Sequence, residues 1–167
     1  MITPTGPILG RELRLDKPCR SRQGFFSQHE EKDVDALTKI GLVAFGSALG
    51  GLSRWGVTVG AARLLGSAFP WGTFVINVLG SLFLGWFMTV LSERLPANGW
   101  GWLRPDDLQL MVAVGFTGAF TTFSTFEFEL HGLFRDGESL AALGYLIGSV
   151  SLGLIAVHLG IVLARSG

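Results

Sequence analysis

The chain has 167 residues, 49% hydrophobic and 16% charged, with 13 basic and 13 acidic residues and a formal net charge of zero. A soluble domain usually carries about 25% charged residues, so the composition argues against one, and the neutral balance gives no footing for nucleic-acid binding. The single cysteine, Cys19, excludes an intrachain disulfide, and the scattered His29, His131 and His158 exclude a Cys/His zinc cluster.

Residues 1–38 hold six Lys/Arg and six Asp/Glu, nearly half of the chain's charges. They lack the apolar core of a signal peptide, and their acids argue against a transit peptide. They read as a polar, disordered N-terminal extension, with residues 39–167 forming a membrane domain. Four apolar segments follow, at about 40–65, 71–91, 108–133 and 140–163. Each is about 20 residues or longer, enough to cross a hydrocarbon core of about 30 Å as a helix. None shows a polar face wide enough for a soluble bundle. The fold class is therefore all-α, integral to the membrane, with four transmembrane helices. Short links make sequential helices antiparallel, and Trp71, Trp100 and Trp102 sit at the predicted ends, where indoles favour the headgroup layer. Lys39, Arg94, Arg104 and Arg165 fall on one side and Arg63 and Arg135 on the other. So slight a positive-inside bias leaves both orientations open, as an antiparallel homodimer requires.

The first segment carries Arg54 in Gly50-Gly51-Leu52-Ser53-Arg54-Trp55. An embedded Arg faces an aqueous vestibule or snorkels, and could raise the anion concentration at a pore mouth. The second segment, opening Trp71-Gly72-Thr73-Phe74, holds one carboxamide, Asn77. Its N–H₂ suits either an anion or an interhelical hydrogen bond.

The third segment includes Gly115-Phe116-Thr117-Gly118-Ala119-Phe120-Thr121-Thr122-Phe123-Ser124-Thr125-Phe126-Glu127-Phe128-Glu129. Gly115, Gly118 and the Thr121-Thr122 pair weaken a helix near mid-membrane. Backbone freed there is tolerated only inside protein or at an ion site, and bare carbonyls suit a monovalent cation such as Na⁺. The competing reading is a glycine-containing packing face. Phe123 and Phe126 share a helix face. Aromatic edges carry partial positive charge, so a small anion could follow them while hydroxyls replace its water. Ordinary core packing explains the same spacing. In the fourth segment Tyr145 and Ser149 lie one turn apart, as donors or as packing, and His158 reads as a packed core histidine. No Ser/His/Asp set, HExxH or Walker loop points to an enzyme.

On the runs Gly50–Trp55, Trp71–Gly85, Gly115–Phe126 and Gly144–Ser149, the chain resembles the Fluc/CrcB fluoride channels over about residues 40–165. The resemblance implies an antiparallel dual-topology homodimer in the cell membrane, with two pores passing fluoride passively out of the cell to relieve its toxicity. It implies a structural Na⁺ held by the carbonyls of Gly118 and Thr121, where the third helix breaks. Phe123 and Phe126 match pore-lining aromatics, and Asn77 matches a pore asparagine. Thr73, Ser124 and Thr125 match polar positions, and Arg54 a basic one. Glu129 matches an acidic position after the aromatics. Tyr145 and Ser149 match the start of a polar track on the fourth helix, where Gly153 stands in place of a further serine. Two other readings compete: a small dual-topology proton-coupled transporter, for which Glu127 and Glu129 are the candidate carboxylates, and a non-conducting assembly partner.

Overall fold

A computed structural model describes residues 22–95 and 104–166, with side chains from residue 35 onward. Trp100 and Trp102 lie outside the described residues, as does most of the N-terminal extension. By contacts the chain divides into two units, Met1–Val34 and Asp35–Gly167; apart from residues 22–34 of the first helix, the second contains everything that follows.

All described regular structure is helical. In chain order it comprises α1 (Arg22–Leu65), α2 (Trp71–Glu93), α3 (Pro105–Leu108), a π-helix (Gln109–Thr117), α4 (Gly118–Phe120), α5 (Phe123–Arg135) and α6 (Ser139–Ser166). Four stretches are long and apolar enough to cross a membrane: Asp35–Leu65, Trp71–Glu93, Pro105–Arg135 and Ser139–Ser166. The shortest, at 23 residues, extends about 34 Å at the α-helical rise. Large apolar side chains such as Phe45, Trp55, Leu140 and Leu154 face outward, as a hydrocarbon solvent permits. His158, expected in the core, is exposed on α6 of the single chain. It lies on the outer face that the helix turns away from α2, which its position among apolar residues could not reveal.

Glycines set how closely the spans approach. α1 meets the third span through Gly46 and Gly50, one turn apart. A Cβ on Gly46 would lie 2.0 Å from the Met111 carbonyl oxygen, and one on Gly50 2.1 Å from that of Phe116. Ser47 donates its hydroxyl to the Gly115 carbonyl at 3.4 Å in the same seam. Small residues at this spacing let backbones touch and gain dispersion, the main attraction between helices in lipid.

α2 and α6 form the other close pair. Their partners keep one offset: Ser81 faces Gly153, Gly85 meets Val157, and Glu93 pairs with Arg165, 72 residues on. A constant difference in residue number means that the two helices run parallel and in register. A Cβ on Gly85 would lie 2.4 Å from the Val157 oxygen, and one on Gly160 2.2 Å from that of Leu82. The Arg165 guanidinium closes the end of the pair on the Glu93 carboxylate, at 2.6 Å and 3.1 Å.

Candidate functional site

The third span is interrupted where the hydroxyl-rich run falls. After the single turn of α4, Thr121 (φ −85°, ψ 161°) and Thr122 (φ −153°, ψ 122°) are extended, and α5 begins at Phe123. The side chain of Thr122 caps α5, its Oγ1 accepting the Thr125 N–H at 3.3 Å, the usual service of a hydroxyl at a helix N-terminus. α2 braces the break from the side. Asn77 Oδ1 accepts the Thr122 N–H at 2.9 Å, and Asn77 Nδ2 donates to the Thr122 carbonyl at 3.1 Å. One carboxamide thus satisfies both backbone groups of one extended residue, leaving a single Nδ2 hydrogen for another acceptor. Gly80 makes room for the break, since a Cβ there would lie 2.2 Å from Thr121 Cγ2.

These bonds redirect two donors. In a continuous helix the N–H groups of Thr122 and Thr125 would bond the carbonyls of Gly118 and Thr121. Here they bond Asn77 and the Thr122 hydroxyl instead. The carbonyls of Gly118 and Thr121 are thereby left without their helical partners, and nothing lies within 4 Å of where a Gly118 Cβ would stand. Among the described residues no three His, Cys, Asp or Glu side chains cluster to hold a metal. A cation at the break would therefore meet backbone carbonyl oxygen rather than carboxylate.

The π-helix before the break has no counterpart in the sequence reading. It is wide enough for the Thr117 hydroxyl to reach the Val112 carbonyl, five residues back, at 3.0 Å. Thr117 O in turn accepts both the Thr121 N–H at 3.0 Å and the Thr121 hydroxyl at 2.9 Å. π-Helical geometry is rare, and its single-turn bulges are frequent at functional sites.

Between α2, the break and α6 lies a cavity of about 300 Å³. Asn77, Ser81, Thr122, Phe123, Phe126 and Ser149 contribute to its wall, and no charged side chain does. The rings of Phe123 and Phe126 lie 6.1 Å apart and tilted; Phe126 is 6% exposed and Phe123 is 70% exposed. Ser149 Oγ is buried without a hydrogen-bond partner.

Beside Phe126 a polar triad joins three spans. Glu129 accepts the Thr73 hydroxyl at 2.9 Å on Oε1 and the Tyr145 hydroxyl at 2.8 Å on Oε2. The Tyr145 ring packs edge-on against Phe126, with centroids 4.8 Å apart. Tyr145→Phe keeps the ring but removes one donor from the carboxylate. It is expected to cost about 1.5–3 kcal/mol, the range for a hydrogen bond to a charged group, read as a lowered melting midpoint in detergent. An unchanged midpoint would remove the triad from the stabilising contacts.

Of the residues singled out from sequence, the structure thus brings Thr73, Glu129 and Tyr145 together, and Asn77, Phe123, Phe126 and Ser149 around the cavity. Ser124 is exposed and outside the cavity wall. Thr125 bonds only the cap, its Oγ1 lying 3.0 Å from that of Thr122. Arg54 is half-buried on α1, away from the cavity, and makes no ion pair among the described residues.

Residues 41–161 match the family described as CrcB-like protein, Camphor Resistance (CrcB). The chain belongs to the CrcB family. Its membrane domain is 43% identical over 123 residues to the fluoride-specific ion channel FluC of Chloroflexus aurantiacus, covering 74% of this chain and 92% of that protein. It is 41% identical over 127 residues to the FluC of Nitrosococcus oceani, covering 76% and 96%. To that of Rhizobium johnstonii it is 40% identical over 125 residues, covering 75% and 94%. These relatives carry the names of channels, not of enzymes. The CrcB match takes in every site residue from Arg54 to Ser149, and the four apolar helices make the chain a multi-pass membrane protein.

Proposed function

We propose that this CrcB chain conducts fluoride passively across a cell membrane, exporting it from cells that have accumulated it. The observation that carries the reading is the cavity beside the helix break. Its wall combines hydroxyls with phenylalanine edges and lacks any fixed charge, in a chain whose relatives are named as fluoride-specific channels. Fluoride holds its water more tightly than other halides do, so a path for it needs donors of its own. Ring edges add weak positive potential without a cation that would trap the ion.

We further propose that two chains assemble antiparallel, giving two pores. The near balance of basic residues across the spans supports insertion in both orientations. The exposed Phe123 ring is a surface that a second chain would cover. At the centre a structural Na⁺ would be held by the carbonyls of Gly118 and Thr121, which lack their helical donors. The ion would neutralise their partial charge where water is excluded. Arg54, Ser124 and Thr125 belong to this proposal through the family resemblance; their side chains lie outside the cavity of the single chain.

Purified protein in liposomes loaded with fluoride and chloride is expected to release fluoride, read with an ion-selective electrode, and to retain chloride. Equal release of both, or no fluoride release, overturns the reading. Release that requires an imposed pH gradient would instead favour the proton-coupled transporter.

A further inference from the structure

We propose, resting on the fluoride-channel reading above, that Ser81 on α2 is a further fluoride-path residue, supplying the hydroxyl that α6 lacks at Gly153. The register of the two helices carries this. Thr73, Asn77 and Ser81 recur every four residues on α2, as Tyr145, Ser149 and Gly153 do on α6, so each set follows one helix face. With the constant offset, the two faces meet as successive levels about 6 Å apart. Thr73 and Tyr145 share Glu129 at the first level. Asn77 and Ser149 border the cavity at the second. At the third, Ser81 Oγ lies 3.7 Å from where a Gly153 Cβ would stand. One turn further, Gly85 against Val157 closes the helices to backbone contact. Ser81 is thus the last polar side chain of the α2 face before the seam shuts.

Its hydroxyl is also uncommitted. A serine or threonine inside a helix commonly bonds the carbonyl one turn back, as Thr89 does to Gly85 O at 2.8 Å and Thr121 to Thr117 O at 2.9 Å. The Ser81 hydroxyl makes no hydrogen bond among the described residues, and Ser149 Oγ, in the wall of the same cavity, is unpartnered. Two free O–H donors bordering a space without a charged wall are the chemistry that a dehydrated small anion requires. Charge-assisted hydrogen bonds of this kind are about twice as strong as neutral ones. The glycine on α6 leaves the donation at the third level to α2.

The test is fluoride efflux from liposomes bearing the wild type, Ser81→Ala, and Ser81→Ala combined with Gly153→Ser, each normalised to monodisperse protein recovered. Wild-type efflux establishes the channel reading independently, so its absence is a failure of that reading and not of Ser81 in particular. With wild-type efflux present, Ser81→Ala is expected to lower the rate by about tenfold, the order for one lost hydrogen bond to an ion. The added serine on α6 is expected to restore most of it, because the hydroxyl returns from the opposite wall. An undiminished rate in Ser81→Ala overturns the proposal, as does a loss that Gly153→Ser fails to restore, which would make Ser81 a packing residue. Should the double variant not fold, Ser81→Thr replaces it: retained efflux supports the proposal, and efflux at the alanine level overturns it.

Discussion

Asn77→Ala is expected to abolish fluoride efflux and to destabilise the protein by about 2–4 kcal/mol, two hydrogen bonds' worth of unsatisfied backbone. The carboxamide binds both the N–H and the C=O of Thr122, and among the described residues no other side chain bonds either group. Without it the extended pair Thr121-Thr122 loses its support and α5 its fixed starting point. Phe123 and Phe126, which begin that helix, then lose their positions beside the cavity. Asn77→Asp separates the two effects. It keeps an acceptor for the Thr122 N–H, loses the donor to the carbonyl, and sets a negative charge on the path. Its efflux is expected to fall as far as that of the alanine variant, with a smaller drop in melting midpoint. An alanine variant with a wild-type midpoint would show that Asn77 does not hold the break together.

The second large effect is expected at the α1 seam. Gly46→Ala and Gly50→Ala each put a methyl group about 2 Å from a backbone oxygen, which no rotamer change relieves. Separating α1 from the third span is the only relief, at about 1–3 kcal/mol per site or more where both carbonyls must move. Gly51→Ala and Gly56→Ala, on the same helix with nothing within 4 Å, serve as controls. They are expected to be neutral or to stabilise by up to about 1 kcal/mol, the helical advantage of Ala over Gly. Melting midpoints of the four variants check this, and equal values across the set would mean that α1 does not pack through Gly46 and Gly50.

Much of this was legible in the residues. Uninterrupted hydropathy marks the four spans, because a bilayer requires length and apolarity whatever the partners. The residues leave the break at Thr121-Thr122 open against a packing face, since hydroxyl residues after Gly118 can compete with the helical ladder or bond within it, and the family resemblance decides for the break. Asn77 was recognisable as a polar residue needing partners, but whether it served an anion or a neighbouring helix depended on which residue stood opposite. Only the packing of α2 on the break shows Thr122 there. The π-helix left no signal, because Gln109–Thr117 has the same apolar character in either helical form. Ser81 carries no signal in the sequence for a related reason. An isolated serine in an apolar span normally bonds its own helix, and its importance depends on the register with a glycine 72 positions later. His158 could not be placed from its own segment, since α6 is apolar on every face.

The clamp between Asn77 and Thr122 also bears on the order in which the membrane domain can assemble. A lone third span in lipid would expose the backbone of an extended residue, at several kcal/mol per unsatisfied group, and would rest poorly as an independent spanning helix. α2 has no such defect and is synthesised first. In its broken form the third span is therefore stable only against α2, and Asn77 marks where the chain opens. The helix that supports the break is thus also a wall of the cavity beside it, and the two features stand or fall together.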